Sequence, residues 1–338
     1  MQRIALIGAG FMGAVHAANL AAHPNVRFDF VYDVDTERAA ALAAQHGATA
    51  VTDIENIYDP TQVDAVLIAS STDTHAENLK RGADAGIAVL CEKPIDRELR
   101  QAAETVDYVN ARTTRAMVAF NRRFDRDYAE LRDAVASGEV GDVALIQLTS
   151  RGPEMPPREY LRVSGGQMRD QAVHFFDLAR WISGMDPVEV YATGSTLADP
   201  SIAEFGDTDI AAVTLRLPTG ALVQIDTSRR TGYGYDERIE VLGSNGMVEA
   251  RRHRAGSVTR YTLGQAVENG MHPGWFERVR PTYAATLDYF VNSLEKGELP
   301  SPSLRDGLFA QAIAEAATRS LSSGRSEVIQ YPTGITSV

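Results

Sequence analysis

At 338 residues the chain exceeds the length at which one hydrophobic core stops growing, so two domains are expected. Its 33 basic and 45 acidic residues give a net charge of −12, which opposes general attraction to nucleic acid or to anionic lipid. A single cysteine, Cys91, rules out an internal disulfide; no stretch nears the ~20 apolar residues of a spanning helix, and Met1 leads straight into a strand, so a cytoplasmic protein away from membranes is expected.

The first elements read as a nucleotide-binding unit. The apolar run Ile4–Ile7 suits a parallel strand buried on both faces, and it ends in Gly8-Ala9-Gly10-Phe11-Met12-Gly13, a G-x-G-x-x-G turn. An alanine-rich helix follows at Ala14 to Ala22, then a second apolar run, Val26 to Tyr32. In that context Gly8 allows the tight turn, Gly10 lets backbone approach a pyrophosphate, and Gly13 lets the helix pack closely on its strand. The pyrophosphate would sit on free helix N–H groups, with Phe11 and Met12 beside it. Asp33, with Val34 next to it, lies twenty residues after Gly13, where an acid accepts hydrogen bonds from ribose hydroxyls. NAD is therefore the expected cofactor: a 2′-phosphate would meet Asp33 and Asp35, and Arg38 comes a full helical turn later. A glycine-rich turn without a ligand is the alternative, disfavoured by the complete strand–turn–helix–strand context.

Helix signals run from Thr36 to His46, closed by Gly47, and the next buried strand, Val63 to Ala69, ends at Ser70-Ser71-Thr72 with His75 just beyond. Ligands bind at the carboxyl ends of such strands, so Ser70, Ser71, Thr72 and His75 are candidates to border the nicotinamide. The strand Ile87 to Cys91 stops at Glu92-Lys93-Pro94, because proline has no N–H for the ladder, which leaves Glu92 and Lys93 at the cofactor edge. A helix over 97–112 and a strand at Ala116 to Phe120 complete the unit, whose boundary is expected near residue 120.

Beyond residue 120 the pattern changes to longer strands separated by turns, the mark of an α+β domain. Strands are expected at 143–150, 188–194, 209–217, 222–229, 238–243, 247–251 and 258–262, in a large, open, mostly antiparallel sheet. One face of it needs covering, commonly by another subunit. A rigid proline-rich loop starts at Gly152, a helix spans about Gln167 to Ser183, and two helices, about Phe276 to Lys296 and Leu304 to Ser322, finish the chain. The basic clusters Arg229-Arg230 and Arg251-Arg252-His253-Arg254 read as solvated strand faces rather than a phosphate patch.

For chemistry, Asp170 and His174 are four apart and share one helix face. Oxidising an alcohol with NAD needs a base for the hydroxyl proton and a positive charge near the oxygen; His174 suits the first task and Lys93 the second. The residues alone leave alternatives open. A helical Asp/His pair also serves as a surface hydrogen bond, Asp177 is an equal partner for His174, and a lysine after a strand also reads as a solvated end. Two oxygen or nitrogen ligands without a clear third disfavour a metal, so none is expected.

The GAGFMG turn, the tripeptide Glu92-Lys93-Pro94, and Gly165-Gly166 leading into Asp170-Gln171-Ala172-Val173-His174 together resemble the glucose-fructose oxidoreductase and inositol dehydrogenase (Gfo/Idh/MocA) family. The resemblance spans essentially the whole chain. It is greatest to the inositol 2-dehydrogenase branch, through residues 120–125 and Tyr233-Gly234-Tyr235-Asp236 followed by Ile239 to Gly243. It implies a Rossmann domain over 1–120, and a substrate-binding and oligomerisation domain over 121–338 that assembles tetramers through its sheet. It also implies Lys93, Asp170 and His174 as the catalytic triad, with Arg123 and Tyr235 reaching polyol hydroxyls. The expected activity is NAD-dependent oxidation of a ring hydroxyl of a cyclic polyol, myo-inositol at C2 first, with a pyranose dehydrogenase or a non-catalytic NAD-binding sensor as alternatives. Gly152 departs from the branch, which tends to carry a hydroxyl-binding side chain there, and the loop 154–163 is rich in proline and arginine.

Overall fold

The computed structural model describes residues 1–333 and divides into two compact units. One comprises Met1–Asn121 and Thr282–Phe309; the other comprises Arg122–Pro281 and Ala310–Tyr331.

The first unit is built on β1 (Gln2–Ile7), α1 (Phe11–Ala22), β2 (Val26–Arg27), β3 (Phe30–Tyr32), α2 (Thr36–His46), β4 (Thr49–Ala50), β5 (Ala65–Ile68), α3 (His75–Asp84), β6 (Ala88–Cys91), α4 (Leu99–Asn110) and β7 (Ala116–Val118). Its strands are all parallel, in the order β4-β3-β1-β5-β6-β7 with β2 also beside β1. Every residue of β5 and β6 is buried, as a sheet covered on both faces requires. The chain winds outward from β1 to β4 and then returns to β5 on the other side of β1. The switch point is thus between β1 and β5, where a crevice opens outside the strands' carboxyl ends.

The run Val26 to Tyr32, expected as one strand, is two. Gln2 and Arg3 pair with Val26 and Arg27, whereas Leu6 pairs with Val31, so three steps along β1 face four along the partner and one residue is looped out. Asp35 caps α2 by accepting from Arg38 N–H at 3.0 Å, and Gly47 ends it at φ 70°.

The second unit holds α5 (Arg126–Ala136), β8 (Val143–Arg151), α6 (Arg158–Val163), a π-helical turn Met168–Ala172 that runs into α7 (Val173–Ser183), β9 (Glu189–Ser195), β10 (Ile210–Arg216), β11 (Leu222–Ser228), β12 (Asp236–Gly243), β13 (Met247–Ala250), β14 (Arg260–Thr262) and β15 (Gln265–Val267). The chain continues through α8 (Trp275–Lys296), α9 (Leu304–Ser323) and β16 (Glu327–Val328), and the division between the units falls inside both of these helices. The sheet order is β13-β12-β8-β11-β10-β9-β16, antiparallel except for β8 and β11. Those two are parallel because the long connection through α6, α7, β9 and β10 returns the chain in its starting direction. Alternate residues such as Ile146, Leu148, Val213, Leu215, Val223, Ile225 and Val241 turn to one face and form a single core with Phe175, Phe176, Leu178 and Ile182 of α7.

Three expectations change. The segment at 258–262 leaves the sheet and pairs with β15 across Leu263-Gly264, where Gly264 takes the positive φ of a tight turn. The loop at 154–163 contains α6, started by Pro157, which presets the helical entry. The helix over 167–183 opens in a π turn, a widening that recurs at functional sites.

A Cβ on Gly13 would lie 2.1 Å from the Gly8 carbonyl oxygen, a backbone atom that cannot swing aside. Gly13→Ala should therefore destabilise the protein by about 1–3 kcal/mol, read as a lower urea midpoint at unchanged slope.

Candidate active site

In the first unit the expected cofactor residues gather at the carboxyl edge of the sheet. Gly8 turns the chain at φ 101°, and a Cβ there would meet Ala69 and Ser70 backbone at 2.5 Å, so only glycine lets the end of β1 lie against the end of β5. Gly10 forms the N-cap of α1 without a side-chain cap, and a Cβ there would meet nothing within 4 Å. No acidic residue occupies the first turn of the helix. The N-terminus of α1 therefore presents backbone N–H groups to open space, as an anionic pyrophosphate requires. Asp33 Oδ2 accepts from Ala9 N–H at 2.6 Å and Oδ1 from Asp35 N–H at 2.8 Å. Two backbone donors thus fix the carboxylate and leave lone pairs for ribose hydroxyls, so these residues fit NAD. Phe11 and Val34 are exposed, at 62% and 87%, flanking the turn and the acid.

Ser70, Ser71 and Thr72 follow β5, and the Ser70 and Thr74 hydroxyls lie 2.7 Å apart. His75 is buried: its Nδ1 lies 2.7 Å from the Pro94 carbonyl and its Nε2 3.1 Å from that of Ser70. Its ring thus holds the loop rather than offering a nitrogen to a cofactor. Lys93, half-buried, follows β6 directly after Glu92. The Glu92 carboxylate lies 2.8 Å from His16 Nε2 of α1. Burial pushes the Glu92 pKa up, but the hydrogen bond from His16 and the charges of His16, Lys93 and His75 outweigh it, leaving the carboxyl below its usual range.

In the second unit Asp170 lies in the π turn and His174 in the first turn of α7, both half-buried. Tyr160 of α6 donates to Asp170 Oδ1 at 2.6 Å, and Arg229 Nη1 donates to Oδ2 at 3.3 Å. Arg229 also donates through Nη2 to buried Asp207 at 3.0 Å, and Asp207 takes the Gln167 and Thr208 N–H groups as well. Arg229 is 3% exposed, so its reading as a solvated strand face is corrected. The period-2 signal was present, since Val223, Ile225 and Thr227 share its buried parity. Residues 251–254 follow β13 rather than forming a strand face; Arg251 pairs with Glu249, His253 with Asp127 and Arg254 with Glu268.

Arg123 and Tyr235, expected at the substrate, are drawn into buried networks. Arg123 donates Nε and Nη2 to the two Asp177 oxygens at 2.8 and 2.6 Å, both side chains almost fully buried. Tyr235 is 5% exposed; its hydroxyl donates to Glu237 and accepts from Arg122 Nη2 at 3.0 Å, and burial pushes its pKa up. The reason is electrostatic: Asp177 and Glu237 are buried carboxylates, and each claims the nearest cation. His16, Tyr160 and Arg229 are the polar residues that sequence reasoning missed. His16 was detectable as the histidine in the buried stripe of α1, among Gly13, Ala17 and Leu20. Among the described residues no metal-binding cluster of His, Cys, Asp or Glu occurs, and no helix is long and apolar enough to cross a membrane.

Comparison with known proteins adds an independent line. The oxidoreductase family with an NAD-binding Rossmann fold matches residues 2–120, and the GFO/IDH/MocA C-terminal domain matches residues 128–249. The chain is 39% identical over 323 residues to the inositol 2-dehydrogenase of Rhizobium meliloti (strain 1021), covering 96% of this chain and 98% of that protein. It is 38% identical over 335 residues to the myo-inositol 2-dehydrogenase of Thermotoga maritima, covering 98% and 100%. The crystal structure of a myo-inositol dehydrogenase from Corynebacterium glutamicum superposes with a TM-score of 0.92 at 35% identity, covering 98% of this chain and 100% of that one.

Because Arg123 and Asp177 form a buried pair, Arg123→Ala strands a carboxylate in the core. It should lower unfolding free energy by about 3–5 kcal/mol in urea titrations.

Proposed function

The chain belongs to the GFO/IDH/MocA oxidoreductase family, and from that premise we propose that it oxidises one ring hydroxyl of a cyclic polyol to a ketone, with myo-inositol at C2 as the first substrate. It is an NAD-dependent dehydrogenase acting on CH–OH donors. The observation that carries the reading is the glycine turn, opening the N-terminus of α1 beside Asp33, together with Lys93 at the same sheet edge. The names of the Rhizobium and Thermotoga relatives support the substrate class.

NAD, when bound, supplies the acceptor for the hydride that leaves the carbon. His174 takes the hydroxyl proton as general base, and Lys93 stabilises the developing alkoxide through its ammonium. Asp170 accepts a hydrogen bond from substrate and holds His174 in place; Tyr160 and Arg229 each donate to one of its oxygens and fix its orientation. The reaction is reversible, so His174 returns the proton in the other direction. Gly152 supports keeping a pyranose as the second candidate. A Cβ there would lie 3.0 Å from the Arg229 carbonyl, and the position offers no side chain to a hydroxyl.

Nucleotide binding is assigned to residues 1–120, and substrate binding and self-association to the rest. Leu222, Leu242 and Met247 are exposed on the sheet face opposite the core and adjoin through the register Leu222↔Leu145↔Leu242↔Met247, with Tyr191 and Ile210 on the same face. These exposed apolar side chains, set among polar ones such as Gln147 and Gln224, support a homo-oligomer, read as a tetramer. The buried thiol of Cys91 supports a reducing, cytoplasmic setting.

Initial rates with NAD and NADP against myo-inositol, scyllo-inositol, glucose and xylose should be highest for NAD with myo-inositol; a clear preference for glucose would move the assignment to the pyranose reading. Lys93→Met should keep NAD affinity near that of the parent and lose at least ~100-fold in kcat, the scale set by removing one electrostatic donor at a developing oxyanion.

A further inference from the structure

The sheet ladder runs to the Glu92 N–H, which donates to the Ile68 carbonyl at 2.9 Å, and nothing in strand geometry requires the Glu92 side chain, Lys93 or Pro94 to be held. They are held nonetheless, from both sides and by buried groups. Glu92, itself 9% exposed, lies 2.8 Å through Oε1 from His16 Nε2, while its Oε2 accepts the Lys93 N–H at 3.3 Å. The Pro94 carbonyl lies 2.7 Å from His75 Nδ1, and the other nitrogen of that ring lies 3.1 Å from the Ser70 carbonyl. Carbonyl and carboxylate oxygens only accept, so the ring nitrogen on Glu92 is His16 Nε2–H and the nearer donor to Pro94 is His75 Nδ1–H. His16 and His75 are 0% and 1% exposed. Burying two imidazoles and a carboxylate costs solvation that an ordinary strand end does not need. His16 belongs to α1, whose N-terminus faces the pyrophosphate position, and His75 opens α3 just after the Ser70–Thr72 loop.

We infer that His16 and His75 are positioning residues, which fix the backbone on either side of Lys93 and tie its ammonium to the two helices that flank the cofactor. The inference rests on the catalytic reading of Lys93 above. A lysine is a long, mobile point charge, and it stabilises an alkoxide only if the backbone beneath it is fixed to a few tenths of an ångström. The two ties do different things. His16 acts on the residue before Lys93 through a side chain; His75 acts on the residue after it through a carbonyl, and joins that carbonyl to the loop beside the nicotinamide.

Paired amide substitutions test this, because the amide nitrogen of asparagine falls near histidine Nδ1 and that of glutamine near Nε2. His16→Gln keeps the donor to Glu92 and His16→Asn does not; His75→Asn keeps the donor to Pro94 and His75→Gln moves it to the Ser70 side. The expected result is that kcat for His16→Gln exceeds that for His16→Asn, and that for His75→Asn exceeds that for His75→Gln. Each difference should be about 10- to 100-fold, with NAD dissociation constants alike within each pair. Equal kcat within both pairs, or the reverse order, overturns the inference, since a packing role would not distinguish which nitrogen is kept. Lys93→Met assayed alongside separates the two readings: if it is active, the catalytic reading itself fails; if it is inactive while the amides do not differ, only the tie fails. Should an amide at residue 16 not yield folded protein, Glu92→Gln, which keeps an oxygen for His16, is compared with Glu92→Leu, and equal kcat there overturns the tie to α1.

Discussion

A close backbone approach in the first unit, α1 onto the end of β1, sets the rest of the cofactor edge. With no Cβ on Gly13, the helix seats against the Gly8 carbonyl, and with none on Gly8, the turn lies against Ala69 and Ser70. Three consequences follow from that single seat. The first N–H groups of α1 face the crevice at the switch point, where a diphosphate is stabilised by backbone donors and the helix dipole. Ala9 N–H meets Asp33, which locks the end of β3 to the turn. His16, on the buried side of the same helix, comes within 2.8 Å of Glu92. A larger residue at Gly8 or Gly13 would shift all three together.

The second unit is organised by charge neutralisation rather than close approach. Asp177, Glu237 and Asp207 are buried carboxylates, and each is matched: Arg123 to Asp177, Arg122 to Glu237, Arg229 to Asp207. Taking a carboxylate out of water costs several kcal/mol, so each acid secures a cation and further donors. Arg229 has capacity left after Asp207 because the guanidinium is a fork. Its Nη1 reaches Asp170, whose other oxygen takes Tyr160. The half-buried carboxylate in the π turn is thereby held by a donor on each oxygen.

Much of this was legible in one dimension. The glycine turn, the acid twenty residues on and the proline that stops the strand after Lys93 depend on local backbone rules, and they stand where the pattern put them, whereas Asp170 falls in a π turn ahead of the α-helix that carries His174. Arg123 and Tyr235 show the limit. Their donor chemistry suits a polyol as well as it suits an acid, and only the fold shows that Asp177 and Glu237 lie within reach. Asp177 sits 54 residues from Arg123, a separation no local rule spans. The hairpin at β14 and β15 shows the same limit for strands, because membership of a sheet is decided by which neighbour is available.

By itself the sequence determined the fold class and the cofactor, because glycine φ, proline's missing N–H and apolar periodicity act within a few residues. Tertiary structure alone decided how the polar groups are paired and which of them are buried. Desolvation is a property of the packed interior: it paired Arg123 with Asp177, buried Arg229 beside Asp170, and brought His16 and His75 to either side of Lys93.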